Sequence, residues 1–135
     1  MDIPASPEIA SLITAFYAAF DNRGGRAPAV AELRALLAPL ATITRVNAEG
    51  ADTWDPDAFI APREAMLTDG TLTEFHEWEV AGRTEGFGHI AGHSSVYRKE
   101  GRLNGAPYEG SGRKFISLFN TGGRWLISSI LWEDD

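Results

Sequence analysis

The 135-residue chain contains no cysteine, which excludes disulfides, thiolate nucleophiles and cysteine-based metal centres. Cations are also scarce: 12 Lys and Arg stand against 19 Asp and Glu, giving a net charge of −7 and a pI near 4.9. Nucleic acid and anionic membranes need basic surfaces to neutralise phosphate, so neither is an expected partner. No stretch approaches the roughly 20 apolar residues of a membrane span. The opening "MDIPASPEIA" has neither the basic start nor the apolar run of a secretory leader. A cytoplasmic protein is the expectation. There is no glycine-rich phosphate loop after a strand, no nucleophile elbow and no HExxH, so no cofactor is expected.

What is present is an ordinary globular composition, 44% hydrophobic and 23% charged, at a length that suits one domain spanning residues 1–135. "SPEIASLITAFYAAFDNRGG" predicts a helix. Ser6 and Pro7 form its start, and Ile9, Leu12, Ile13, Phe16, Tyr17 and Phe20 recur at helical spacing. "APAVAELRALLAP" predicts a second, shorter helix with Val30, Leu33, Leu36 and Leu37 inward, and "ATITRV" a strand. "TWDPDAFIAPREAMLTDG" predicts a third helix capped by Asp55, with Pro62 kinking it. After Gly70 the period changes from 3.6 to 2. Strands are expected at 72–85, 87–99, 113–120 and 124–133, with "EGRLNGAPYEGSG" as a long loop or lid. Helices first and strands afterwards give an α+β fold.

Gly122-Gly123 is a two-residue hairpin signal that pairs Thr121 with Arg124, Phe119 with Leu126 and Ser117 with Ser128. Both faces of that hairpin are then largely apolar. Helices on one side cover only one of them, so a homodimer through the outer sheet face is expected. In "LTEFHEWEV", matching apolar sets pairs Trp78 with Ser94 and Glu79 with His93. This points His76, Trp78 and Val80 toward the helices, and Glu77 and Glu79 away. A one-residue shift would exchange the faces and let Glu77, Glu79 and His93 line the pocket, with Glu79 and His93 as the acid–base pair. His89 and His93 lie roughly 13 Å apart along a strand, too far to share an ion, so no metal site is expected.

The element order, closed by "GGRWLISSILWEDD", resembles the nuclear-transport-factor-2-like superfamily, which includes ketosteroid isomerases, scytalone dehydratase and SnoaL-like cyclases. The resemblance covers most of the chain. It implies N-terminal helices packed on a strongly curved, mainly antiparallel sheet, a cone with an internal pocket. It also implies a small organic ligand. The isomerases use a general-base Asp and an oxyanion hole of a Tyr and a protonated Asp. Tyr17 matches the Tyr, whereas Phe115 stands where the protonated Asp would lie.

His76, as the imidazole on the expected inner face, and Tyr17 are the candidate proton-transfer and polarising residues. Phe20, Trp54, Trp78 and Trp132 are the expected apolar wall. Ser94, Arg113, Ser117 and Ser128 are the expected polar handles. Two functions follow: an isomerase, dehydratase or cyclase working by proton transfer, or a non-catalytic ligand-binding or interaction module.

Overall fold

The computed structural model describes residues 6–135; the start of the leader reading falls on residues outside these. Helix α1 runs Pro7–Ala18 and helix α2 Pro56–Thr68. Six strands follow the order β1 Leu37–Asn47, β2 Gly50–Trp54, β3 Leu72–Phe87, β4 Ile90–Leu103, β5 Ala106–Thr121 and β6 Arg124–Asp134. They form one curved sheet, β2-β1-β6-β5-β4-β3, antiparallel except where β1 runs parallel to β6. The helices lie in its concave face, and the buried apolar side chains form one core cluster. Among the described residues no helix is long and apolar enough to cross a membrane.

Local signals explain much of this. Asp55 accepts the Ala58 N–H at 2.8 Å and Pro56 opens α2, while Pro62 sits inside it. The five apolar residues from Ile9 to Tyr17 that recur at helical spacing are all buried on α1. The second predicted helix is only a 3-10 turn, Val30–Ala35, although Val30 and Leu33 are buried as their spacing requires. Leu37 and Pro39 belong to β1, whose pairing with β6 is interrupted between Leu37 and Thr42.

Three departures reset the faces of the sheet. First, "EGRLNGAPYEGSG" is no loop. β4 and β5 run through it to a tight turn at Asn104 and Gly105, with φ of 52° and 81°. Asn-Gly favours that left-handed pair, so the segment makes a long hairpin instead of a lid. Second, the Gly122-Gly123 turn pairs Thr121 with Arg124 as expected. A bulge at Ser128 then pairs Ser117 with Ser129, so Ile127 and Ile130 both face inward. Lys114, Ile116 and Leu118 share that inner face, while Phe115 points outward.

Third, the β3–β4 hairpin turns at Gly88-His89 and β3 carries two irregularities, one between Thr73 and His76 and one between Glu79 and Ala81. Glu79 therefore lies opposite Tyr97, not His93, and Trp78 opposite Arg98, not Ser94. The expected orientation of this strand is reversed: Glu77 and Glu79 face inward, and Val80 is exposed.

Asn22 joins the parts. Buried just after α1, it donates from Nδ2 to the carbonyls of Leu67 (2.9 Å) and Leu72 (2.8 Å), and its Oδ1 accepts the Phe75 N–H at 2.8 Å. Removing the side chain strands three buried backbone groups, each of which costs about 1 kcal/mol or more. Asn22→Ala should lower stability by about 3 kcal/mol in urea titration. Asn22→Asp would turn a carboxylate toward two carbonyls, raising its pKa. Its deficit relative to wild type should be larger at pH 7 than at pH 4; an equal deficit at both would show that these bonds are not the cause.

Candidate functional site

Between α1, α2 and the concave sheet lies a cavity of about 310 Å³. That is near the lower end of small-molecule sites, enough for a compact ring-bearing compound. Phe16 from α1, Phe20 just beyond its end, Phe59 from α2, Phe75 from β3, Tyr108 from β5 and Trp132 from β6 supply its aromatic wall. Phe59 meets Trp132 edge-on at 5.9 Å, and Trp54 stacks against the same indole at 5.8 Å. These contacts fix the wall from behind.

The polar lining consists of Arg45, Arg63, Lys99, Lys114, Glu77 and Asp134. Lys114 is 6% exposed and lies 3.8 Å over the Tyr97 ring, with its Nζ donating to Glu77 Oε2 at 2.9 Å. Burial pushes the Lys114 pKa down against the opposing pull of Glu77. Lys99 reaches Asp134 at 3.3 Å, and the Tyr97 hydroxyl donates to the same carboxylate. Burial of that phenol pushes its pKa up, as does the bond to Asp134. Gly112 makes this arrangement possible: a Cβ there would overlap the Tyr97 hydroxyl.

Arg63 differs from the other cations. Its Nη1 donates to the Phe59 carbonyl at 3.1 Å and its guanidinium lies 3.8 Å over the Phe59 ring. Among the described residues it has no carboxylate within 4 Å. Burial, with Arg45 nearby, lowers its pKa to about 10. Arg45 bonds Asp52 at 3.2 Å, yet its Nε is buried with no hydrogen-bond partner among the described residues.

A second polar cluster lies beside α1. The Tyr17 hydroxyl is 2.7 Å from Ser95 Oγ, Ser95 donates to Glu79 Oε2 at 2.7 Å, and His93 Nε2 reaches the same oxygen at 2.6 Å. Thr84 Oγ1 closes the chain at 2.8 Å from His93 Nδ1. Since Ser95 gives its one proton to Glu79, Tyr17 must donate to Ser95. Burial, the largest cause, raises the Tyr17 pKa. Gly82 leaves room for the acceptor, because a Cβ there would sit 2.5 Å from Glu79 Oε1. Glu79 and His93 thus do come together on the inner side. Both ring nitrogens of His93 are occupied, and neither residue lines the cavity, so this chain of bonds positions β3 and β4 beneath α1.

Of the residues singled out from sequence, Phe20 and Trp132 line the cavity, and Trp54 backs Trp132. Tyr17 is buried in the second cluster, outside the lining. His76 does not reach the cavity. It stacks on Trp78 at 4.4 Å and bonds Glu100 at 3.0 Å, because the irregularity before it turns both rings to the other face. Ser94, Ser117 and Ser128 border an open groove that also includes outer-face residues such as Phe115 and Phe119, and Arg113 is exposed beside Phe115 and Leu131. Lys99, Lys114, Arg45, Arg63 and Asp134 were not singled out, and Glu77, expected to point away, lines the cavity as the shifted register would have it. Lys114 had a signal: it alternates with Ile116 and Leu118 on an otherwise apolar face.

No protein-family model matches the sequence, and no curated protein is similar to it. Solved structures are similar. LinA superposes with a TM-score of 0.76 at 15% identity, covering 95% of this chain and 84% of its own. A scytalone dehydratase-like protein from Novosphingobium aromaticivorans gives 0.74 at 14%, covering 95% and 82%. A nuclear transport factor 2-like superfamily protein from Salmonella enterica gives 0.74 at 13%, covering 93% and 87%. The chain has the nuclear-transport-factor-2-like fold. At these identities the likeness of this chain to the three is one of architecture, and its site must be argued from its own residues.

The Glu77–Lys114 pair is testable as a unit. Lys114→Met alone leaves a nearly buried carboxylate unpaired and should cost about 3 kcal/mol, whereas Glu77→Leu with Lys114→Met should lie within about 1 kcal/mol of wild type. Denaturant titration of the single and double variants checks this; additive losses would mean that the two side chains do not act on each other.

Proposed function

We propose that this NTF2-like domain binds a small organic acid in its cavity and that Glu77 moves a proton on the bound molecule. The observation that carries the reading is Arg63, a half-buried guanidinium with no carboxylate partner among the described residues, facing an aromatic cavity. A cation held out of water needs an anion, and a bound carboxylate supplies one with bidentate geometry. The aromatic wall suits a ring or other flat apolar body, and Glu77 offers the cavity a carboxylate base. Isomerisation, dehydration and cyclisation all pass through such proton transfers.

A second reading, binding without turnover, is favoured by one observation: the Glu77 carboxylate is already committed to Lys114. Solvent deuterium separates the two. Exchange into the bound acid at carbon, lost in Glu77→Gln, belongs to the catalytic reading, and retention without exchange belongs to the other.

Small aromatic acids such as phenylacetate should raise the melting temperature. At 100 times Kd the stabilisation is about 2.7 kcal/mol, several degrees for a domain of this size. Arg63→Met should abolish the shift while leaving the unliganded melting temperature nearly unchanged. If phenylacetate and related acids shift the Arg63→Met variant as much as the wild type, the anion site is elsewhere.

The homodimer belongs to the same proposal. Phe87, Ile90, Phe115 and Leu131 are 69%, 61%, 62% and 45% exposed on β3–β6. A second copy laid over this outer face would remove them from water. Phe115→Glu should convert a dimer to a monomer in light scattering; a wild-type monomer at micromolar concentration would rule the interface out.

A further inference from the structure

The chain contains ten arginines but only two lysines, Lys99 and Lys114, and both lysines line the cavity. Every lysine side chain of this sequence is therefore in this one site. Arginine cannot give up its charge to act as a nucleophile, whereas lysine can when water is withdrawn from it. The two lysines are not equivalent. Lys99 is held by Asp134, and its amine stays protonated. Lys114 is the more deeply buried, its Nζ over an aromatic face with one carboxylate, Glu77, at 2.9 Å.

We infer that Lys114 is an imine-forming nucleophile toward the carbonyl carbon of an aldehyde or ketone bound in the cavity, with Glu77 carrying the proton. Glu77 takes a proton from the Lys114 ammonium, freeing the nitrogen lone pair. That pair forms the C–N bond as the carbonyl π pair moves to oxygen, and the proton that the attacking nitrogen sheds passes to this oxygen, giving a neutral carbinolamine. Glu77 returns its proton to the hydroxyl, which departs as water while nitrogen forms the second bond to carbon. One C=O becomes one C=N with release of water, and no oxidant or reductant takes part. Burial eases loss of the Lys114 proton, and Glu77 at 2.9 Å is the acceptor within hydrogen-bond reach that the step also requires. The inference rests on the same cavity as the organic-acid reading, and it deepens that reading by naming a carbonyl compound, with an acid group where Arg63 is used.

The test uses the full chain at neutral pH with two probes, benzaldehyde and 4-carboxybenzaldehyde, each trapped with cyanoborohydride and mapped by peptide mass. The expected result is a single benzyl adduct on Lys114, formed at least about tenfold faster than on Lys99 or the N-terminal amine. Glu77→Gln should slow that adduct about a hundredfold while leaving any adduct at the N-terminus unchanged, a difference that loss of folding would not produce. Adduct confined to Lys99 or the N-terminus, or an equal rate at all amines, overturns the inference. The two proposals fail separately. Labelling of Lys114 by both probes at equal rates, unaltered by Arg63→Met, keeps the imine and removes the acid preference. A melting shift with 4-carboxybenzaldehyde that depends on Arg63, without an adduct, keeps the acid site and removes the imine.

Discussion

The hydrogen bonds of Asn22 are the constraint on which the rest depends. One amide ties the end of α1 to the last turn of α2 and to the first residues of β3, and its own N–H reaches the Phe75 carbonyl at 3.1 Å. The chain at that point must start a strand while the two helices stay against it. Glu74 absorbs the mismatch with φ of 50°, unusual for a residue with a side chain, and its carboxylate accepts the Gly24 N–H at 3.2 Å. This local irregularity decides the parity of everything after it. With Phe75 pinned inward by Asn22 and packed over Gly101, Glu77 and Glu79 follow on the same side, and His76 and Trp78 on the other.

The electrostatics of the cavity follow from that parity. Glu77 becomes the partner that pulls against burial at Lys114 in an apolar strand face, and Glu79 becomes the acceptor that Ser95 and His93 share. The cavity then holds four cations and two carboxylates, in a chain whose net charge is −7. Positive charge is concentrated where water is scarce, against the sign of the whole molecule. Field lines between low-dielectric walls make such a site attractive to a small anion even though the molecule as a whole is acidic.

The reading from sequence succeeded where a signal was local. The Asp55 cap, the stripe on α1 and the Gly122-Gly123 turn each rest on a few neighbouring residues, and each set of residues takes that structure. The α+β class follows from the change of period after Gly70, whereas the curvature of the sheet was implied by the family resemblance alone. The site was less legible because strand parity is a running count that any inserted residue reverses. Ser128 reverses it on β6, and β3 is reset near Glu74 and again near Val80. Neither Ser nor Glu announces a bulge as glycine would. A one-residue exchange of faces was the alternative for β3, and it is the arrangement that brings Glu79 and His93 inward. The Asn104-Gly105 turn carried a signal of its own, submerged in the surrounding glycines.

The two lysines show how one cavity sets two protonation states. Each faces a carboxylate at about hydrogen-bond distance, 2.9 Å for Lys114 and 3.3 Å for Lys99, so distance alone predicts the tighter hold on Lys114. The shifts run the other way. Burial disfavours the charge on both amines and is the largest influence on each. At Lys99 it is outweighed by Asp134, assisted by Tyr108 and Glu77, and the pKa rises. At Lys114 burial outweighs Glu77, and the positive charge of Lys99 adds to it, so the pKa falls. Neighbouring groups driven apart in this way divide the work of a proton-transfer site, one remaining a fixed charge and the other free to lose its proton. That division requires two lysines of unequal depth, and the alternation of β5 supplies the deeper one between Gly112 and Ile116.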